Sequence, residues 1–245
     1  MNAMHIDVTL SPPEIDLLPQ ASLGRTVCVV FDILRATSSM VTALAHGAGH
    51  ILPVLSIEEA LILKEHNPDA LLGGERFGNK IEGFDLGNSP LENRELAGRR
   101  IITTTTNGTV ALRACEKAES VLVGAFLNMD AIVVRLRELS PEKIMLVCAG
   151  TFRELALEDV LAAGAVCANL PGAALSDAAV IAMSAFKRYE NDLLSGLRES
   201  RNGRALISAG REGDVEWSAQ NSIYDAVGEM KSGIITQGKA PDRKP

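Results

Sequence analysis

Residues 26–39 read TVCVVFDILRATSS and decide the class of the fold. Their first six positions form a nearly continuous apolar, β-branched run, which is typical of a strand buried on both faces of a sheet. The run passes directly into a polar loop that contains Asp32 and Arg35, and Met40–His46 then has the character of a helix. A strand, a short polar loop and a helix together form the repeating unit of a parallel α/β sheet.

The same unit recurs along the chain, beginning again at Arg100 and at Ile144. Strands and helices that alternate in this way predict a three-layer α/β/α fold with a mostly parallel or mixed sheet. Residues 42–44 (TAL) and 110–112 (VAL) are each followed by a strand, which suggests an internal duplication.

The length of 245 residues and the apolar fraction of 47% suit a globular chain with a sizeable core. We expect one α/β domain over residues 1–230. Residues 231–245 are polar and contain two prolines, so we expect a loose C-terminal tail there.

The charge balance limits the partners that the chain can have. The net charge is −7, no basic stripe is present and aromatic residues make up only 4%, which argues against a nucleic-acid partner. A negative chain also repels anionic substrates, so local arginines or a bound cation would have to attract them.

The sequence predicts a cytoplasmic protein that does not associate with membranes. No apolar run is long enough to span a bilayer, and the first ten residues lack the pattern of a secretory signal. The cysteines show no paired spacing and are expected to be reduced thiols: Cys28, Cys115, Cys148 and Cys167. The sequence leaves open whether copies of the chain form a homo-oligomer.

Residues 73–90 read GGERFGNKIEGFDLGNSP and are predicted to form a long polar loop. Such loops in an otherwise apolar chain often carry function. Carboxylate and amide oxygens suit a divalent cation and arginine suits an oxyanion, so we expect a metal and anion site formed by Glu75, Arg76, Asp85 and Asn88. Ser89 has a simpler interpretation, as the N-cap of a helix over Pro90–Ala97.

Further polar residues follow the three predicted strands and would meet at one edge of a parallel sheet. They are Asp32 and Arg35, then Thr106, Asn107, Gly108 and Thr109, and finally Gly150 and Thr151. We favour Asp32 as a metal ligand or nucleophile, and the alternatives are a turn cap or an ion pair with Arg35. Glu158 and Asp159 could simply favour the positive end of their helix.

Several common catalytic motifs are absent. The sequence has no Gly-x-x-x-x-Gly-Lys-Ser/Thr loop, no Gly-x-Gly-x-x-Gly helix start and no Gly-x-Ser-x-Gly elbow. None of the four histidines follows a strand in a polar loop. The remaining carboxylates, amides, hydroxyls and arginines suit Mg²⁺ and a phosphate better than zinc and a peptide.

Five segments resemble the signatures of the 2-phosphosulfolactate phosphatase (ComB) family. They are VFDILRAT at 30–37, LGGER at 72–76, GFDLGNSP at 83–90, TTTNGT at 104–109 and LEDVLAAGA at 157–165. The resemblance implies an α/β/α phosphatase that uses Mg²⁺ to hydrolyse phosphate esters of 2-hydroxy acids. In coenzyme M biosynthesis that substrate is 2-phospho-3-sulfolactate. Residues 152–156 (FRELA) are bulkier and more charged than the family pattern.

This resemblance and the loop positions together predict a role for each candidate residue. The catalytic candidates are Asp32, Asp85 and Asp159, with Asp32 as nucleophile or metal ligand and Asp159 as a reserve general acid. The metal candidates are Asp32, Glu75, Asp85 and Asn88. The groups expected to hold the small anionic substrate are Arg35, Arg76, Thr106, Asn107, Gly108 and Thr109.

Two other functions remain open from the sequence. A lyase or isomerase could use the same cation to stabilise an enolate, and it would release no phosphate. A non-catalytic anion-binding protein would bind phosphate esters without turnover or metal.

Overall fold

The computed structural model describes residues 4–21 and 23–238. Within these residues eleven strands form one sheet. The strands are β1 (His5–Thr9), β2 (Thr26–Phe31), β3 (His50–Pro53), β4 (Leu71–Arg76), β5 (Asn79–Lys80), β6 (Arg100–Thr104), β7 (Ser120–Gly124), β8 (Lys143–Cys148), β9 (Ala174–Leu175), β10 (Gly228–Lys231) and β11 (Ile234–Gln237).

The described part of the chain also contains ten α-helices. They are α1 (Pro12–Ile15), α2 (Ala36–Ala45), α3 (Ile57–His66), α4 (Gly108–Ala114), α5 (Met129–Leu139), α6 (Leu157–Asn169), α7 (Asp177–Tyr189), α8 (Leu193–Glu199), α9 (Arg201–Ser208) and α10 (Glu212–Ser218). None of these helices has the length and hydropathy needed to cross a membrane.

The sheet order is β5-β4-β6-β3-β11-β10-β7-β2-β8-β1-β9. Strand β2 lies between β7 and β8 and pairs with both in parallel, so that Phe31 is level with Gly124 and Cys148. Every residue of β2 is buried, as its continuous apolar run requires. The predicted three-layer α/β class with a mixed sheet is confirmed.

Strand β4 corrects the prediction of a loop over residues 73–90. Residues 73–76 continue the strand that begins at Leu71, and β4 pairs in parallel with β6. Gly74 has φ +145°, and a Cβ there would lie 2.1 Å from the carbonyl oxygen of Thr104. The glycines that suggested a loop therefore allow two strand backbones to approach closely.

The C-terminal hairpin corrects the predicted tail. Residues 231–237 are not loose, because β10 and β11 form an antiparallel pair inserted between β7 and β3. Ile235 is fully buried, and Ser232 and Gly233 turn the chain with positive φ values of 49° and 76°. In the sequence, the charged residues that follow the hairpin made its two apolar residues, Ile234 and Ile235, hard to recognise as part of a strand. Residues 239–245 lie outside the described residues.

Helices α7 and α8 are separate, and the Asp192 carboxylate caps α8 by accepting from the Ser195 amide at 3.0 Å. One predicted helix differs from the one observed. The helix expected at Pro90–Ala97 is a short 3-10 turn that ends at Arg94, although Ser89 is its N-cap as predicted.

Candidate functional site

A cavity of about 370 Å³ opens beside the carboxyl ends of the strands. Its wall includes Asp32 after β2, Glu75 on β4, Thr106 and Asn107 after β6, and Gly150 and Thr151 after β8. The remaining wall comes from residues 77–79 and 88, and from α9 and the segment that follows it. Polar groups from loops far apart in the chain therefore meet in one crevice.

Asp32 is a buried carboxylate in the wall of this cavity. Its Oδ1 accepts from the Ala36 amide at 3.0 Å, at the start of α2. The pKa of Asp32 is raised to about 7, chiefly by burial and also by the charges of Glu75 and Glu158, whereas the Ala36 amide and Arg35 oppose the rise. A carboxylate with a pKa near neutrality can exchange protons at physiological pH.

Glu75 connects two segments of the cavity wall through its carboxylate. Its Oε1 accepts from the Thr106 amide and its Oε2 accepts from the Gly78 amide, both at 2.7 Å. These bonds hold the β4–β5 turn against the loop after β6. Thr106 Oγ1 is buried and has no hydrogen-bond partner among the described residues, so it is available to bind a ligand oxygen.

Arg35 is a buried cation with a buried partner. Its Nη1 lies 2.7 Å from Asp214 Oδ2, and its Nη2 donates to the carbonyl oxygen of Gly78 at 2.9 Å. Ser89, assigned from sequence to a helix cap, also donates to Asp214 Oδ1 at 2.5 Å. The ion pair fixes the guanidinium at the cavity wall.

The sequence analysis missed two polar residues of the cavity, Asn202 and Arg211. Asn202 Nδ2 donates at 2.6 Å to both Thr151 Oγ1 and Glu158 Oε1. Arg211 donates to the Gly78 carbonyl oxygen, and no described carboxylate lies within ion-pair distance of it. Neither residue belongs to any of the five segments that resemble the family.

Asp159 lies behind the cavity rather than in its wall. Its carboxylate accepts from the Ile33 amide at 2.8 Å and from the Gly150 amide at 2.9 Å, joining the loops after β2 and β8. Burial, followed by the charges of Glu158 and Asp32, holds the pKa of Asp159 well above its usual range. The geometry gives Asp159 a positioning role, and its predicted role as a general acid stays a prediction.

Glu158 is also buried, and burial raises its pKa. One of its oxygens, Oε2, has no hydrogen-bond partner among the described residues. Since its other oxygen meets Asn202 from the cavity wall, Glu158 belongs to a layer of carboxylates directly beneath the site.

Arg76 and Asp85 also lie outside the cavity wall. Asp85 is exposed, and its Oδ2 accepts from the Leu72 amide at 2.8 Å. Arg76 donates to the carbonyl oxygen of Glu75 at 2.8 Å and to Thr104 Oγ1 at 2.9 Å. Both side chains therefore make local contacts within the protein, and their predicted contacts with a metal or substrate stay predictions.

The other predicted residues divide between the cavity and its support. Asn88 lines the cavity, and its carbonyl oxygen accepts from Ser39 Oγ at 2.7 Å. Asn107 also lines it, but its side chain bonds Ala149 and Phe152 at 3.1–3.2 Å. Thr109 is buried behind the wall, where its hydroxyl bonds the backbone of Thr105.

Only part of the predicted metal shell is assembled in one place. Within residues 4–21 and 23–238, no three His, Cys, Asp or Glu side chains are grouped so that they could hold a metal ion. Mg²⁺ commonly binds one or two carboxylates together with substrate phosphate and water. Asp32 and Glu75 share the cavity wall and fit that requirement, whereas Asp85 does not.

Gly108 allows α4 to approach Asp32. A Cβ at this position would lie 2.6 Å from Asp32 Oδ2 and 2.6 Å from the Ala36 methyl. We expect Gly108→Ala to lower stability by about 1–3 kcal/mol and to displace the Asp32 carboxylate, so that activity falls more than stability explains. Thermal unfolding and turnover measured below the melting temperature test this, and Gly24→Ala, whose Cβ would lie 4.0 Å from the nearest neighbouring atom, controls for loss of glycine. Unchanged turnover in Gly108→Ala would contradict the conclusion that Gly108 is needed for α4 to lie against Asp32.

Comparison with known proteins identifies one family. The family model described as 2-phosphosulpholactate phosphatase matches residues 14–233. A relative from Thermotoga petrophila is 40% identical over 93% of this chain and 99% of its own length. Relatives from Deinococcus radiodurans (41% identical, covering 89% of this chain and 93% of that relative) and Clostridium acetobutylicum (36%, covering 95% and 100%) are also similar. All three carry the name probable 2-phosphosulfolactate phosphatase.

Proposed function

Because the chain belongs to the 2-phosphosulpholactate phosphatase family, we propose that it hydrolyses the phosphate ester of a small 2-hydroxy carboxylic acid. 2-Phospho-3-sulfolactate, which the relatives' names specify, is the reference substrate. The observation that carries the proposal is Asp32, a buried carboxylate with a pKa of about 7 in a cavity wall that also contains an unpartnered hydroxyl and two arginines.

The reaction breaks the bond between phosphorus and the ester oxygen and forms a bond between phosphorus and a water oxygen. Thr106 Oγ1 donates to a phosphoryl oxygen, and Arg211 holds an anionic group of the substrate. Asp32 either attacks phosphorus, forming an acyl phosphate that water then hydrolyses, or accepts the proton of the attacking water. The ester oxygen leaves with its electron pair and takes up a proton from solvent. The products are the hydroxy acid and inorganic phosphate.

We further propose that the reaction uses Mg²⁺ held by Asp32 and Glu75. When bound, the cation neutralises charge on the phosphoryl and leaving oxygens. Two carboxylates in one wall and a chain with a net charge of −7 both support a requirement for a cation. The buried, unpaired cysteines support a reducing compartment such as the cytoplasm.

Phosphate release from 2-phosphosulfolactate and 2-phospholactate, measured with Mg²⁺ and with EDTA, tests the proposal. We expect release with Mg²⁺ and at least a tenfold lower rate with EDTA, restored by added Mg²⁺. Equal rates with EDTA would contradict the metal proposal alone. Binding of both esters without release of phosphate would favour a non-catalytic anion-binding protein. Circular dichroism of the same sample shows whether the protein is folded, so that unfolded protein is not mistaken for an inactive one.

A further inference from the structure

Two phenylalanine side chains lie at the mouth of the cavity. Phe77 is at the tip of the β4–β5 turn, and Phe152 is in the loop after β8. Their ring centroids are 6.1 Å apart with an interplanar angle of 32°. The rings are 77% and 55% exposed, although large apolar side chains normally avoid water.

The backbone presents both rings in an unusual conformation. Phe77 has φ 52° and Phe152 has φ 56°, values that are rare for bulky residues and are found where surrounding structure enforces them. Gly78 next to Phe77 is held by Glu75, Arg35 and Arg211.

Phe152 is held in a similar way. Its amide donates to Asn107 Oδ1 at 3.1 Å, and its carbonyl oxygen accepts from Asn107 Nδ2 at 3.2 Å. Residues of the cavity wall therefore position both exposed rings.

The charges of the wall indicate what the rings could contact. Among the described wall residues, the cations are Arg35 and Arg211, and the anions are Asp32 and Glu75. Arg35 is already paired with Asp214, which leaves Arg211 as the wall cation without a carboxylate partner in the described chain. A substrate with its phosphate on the proposed Mg²⁺ and one further anion on Arg211 would therefore place its third anion without a cation, beside apolar rings.

We propose that Phe77 and Phe152 bind an apolar or aromatic substituent of the 2-hydroxy acid, and that this chain prefers such esters to the sulfonate-bearing one. The inference rests on the proposed function and specifies its substrate. A flat substituent against two rings gains buried apolar area and aromatic contacts, whereas a sulfonate gains neither and loses hydration.

The test compares kcat/KM for three 2-phospho acids that differ only at carbon 3: phenyllactate, lactate and sulfolactate esters. We expect the phenyl ester to exceed the sulfonate ester by about tenfold or more. Phe77→Asn and Phe152→Asn remove each ring, and asparagine tolerates positive φ. We expect each variant to lose about tenfold for the phenyl ester and less than about threefold for the lactate ester.

Leu155→Ala is the matched control, since Leu155 is an exposed apolar residue of the Phe152 loop that lies outside the cavity wall. It should leave all three rates unchanged. A preference of the unmodified protein for the sulfonate ester would overturn this inference and leave the proposed function intact. Equal losses for all three esters in the ring variants would also overturn it, and release from none of them would overturn both proposals.

Discussion

Replacing Asp32 with asparagine is expected to lower kcat for phosphate release by about 100- to 10,000-fold. Asparagine keeps an oxygen that can accept from the Ala36 amide, so the start of α2 stays intact. It removes the charge needed either to attack phosphorus or to accept a proton. Turnover at pH 8 with saturating ester and Mg²⁺ measures the effect.

The same substitution should make the protein more stable at alkaline pH. The pKa of Asp32 is about 7 in the folded state, above its ordinary value of 3.8, because burial disfavours the charged form. Between these values the folded state binds more protons than the unfolded state, so stability falls as pH rises from about 4 to 7. Activity that needs the ionised carboxylate rises through the upper part of that range.

Stability and activity are thus expected to change in opposite directions with pH. Melting temperatures of the unmodified protein and of Asp32→Asn, measured at pH 5 and pH 8, test the stability part of this expectation. We expect Asp32→Asn to melt higher at pH 8, and the difference to shrink at pH 5. Asp85→Asn is the matched control: this exposed carboxylate lies outside the cavity wall, so turnover should stay within about twofold. Near-normal turnover in Asp32→Asn would remove Asp32 from the mechanism.

The second large effect is expected at the buried ion pair. The Arg35 and Asp214 side chains are only 4% and 5% exposed. Asp214→Ala would leave the Arg35 guanidinium buried without its carboxylate, a change that costs about 3–5 kcal/mol in other proteins. Arg35 also holds Gly78, so we expect loss of activity together with loss of stability.

Urea unfolding followed by circular dichroism gives the free energy of unfolding for this variant. The control is Glu190→Ala, which removes a surface ion pair with Lys187 and should cost less than about 1 kcal/mol. Arg35→Met combined with Asp214→Leu should recover stability but not activity, because no charge is then left unpaired. A cost for Asp214→Ala similar to that of the surface control would contradict this account.

Strand periodicity explains why one of two neighbouring candidate residues reaches the cavity and the other does not. Glu75 and Arg76 are neighbours on β4, and successive side chains of a strand point to opposite faces. Glu75 reaches the cavity and Arg76 does not. The glycines of this segment suggested a loop, in which the alternation would not apply, so both residues were assigned to the site.

The local sequence carries the α/β class and the position of Asp32, because a buried strand followed by a polar loop is a contiguous pattern. The local sequence does not reveal which residues of the last third of the chain contribute to the site. Asn202, Arg211 and Asp214 lie on or between short helices whose packing is set by long-range contacts, about 170 residues or more from Asp32. Only the three-dimensional arrangement brings Asn202 and Arg211 to the cavity and Asp214 to Arg35.

The C-terminal hairpin has a consequence for how the molecule is made. Strands β10 and β11 join two groups of strands, β3 with its neighbours and β7 with its neighbours, that would otherwise end in open edges. During synthesis these edges stay unpaired until residues 228–237 have left the ribosome. A nascent chain halted before that point would expose two unpaired edges, which are templates for aggregation. Of the strands in the described residues, the two synthesised after all the others thus complete the centre of the sheet.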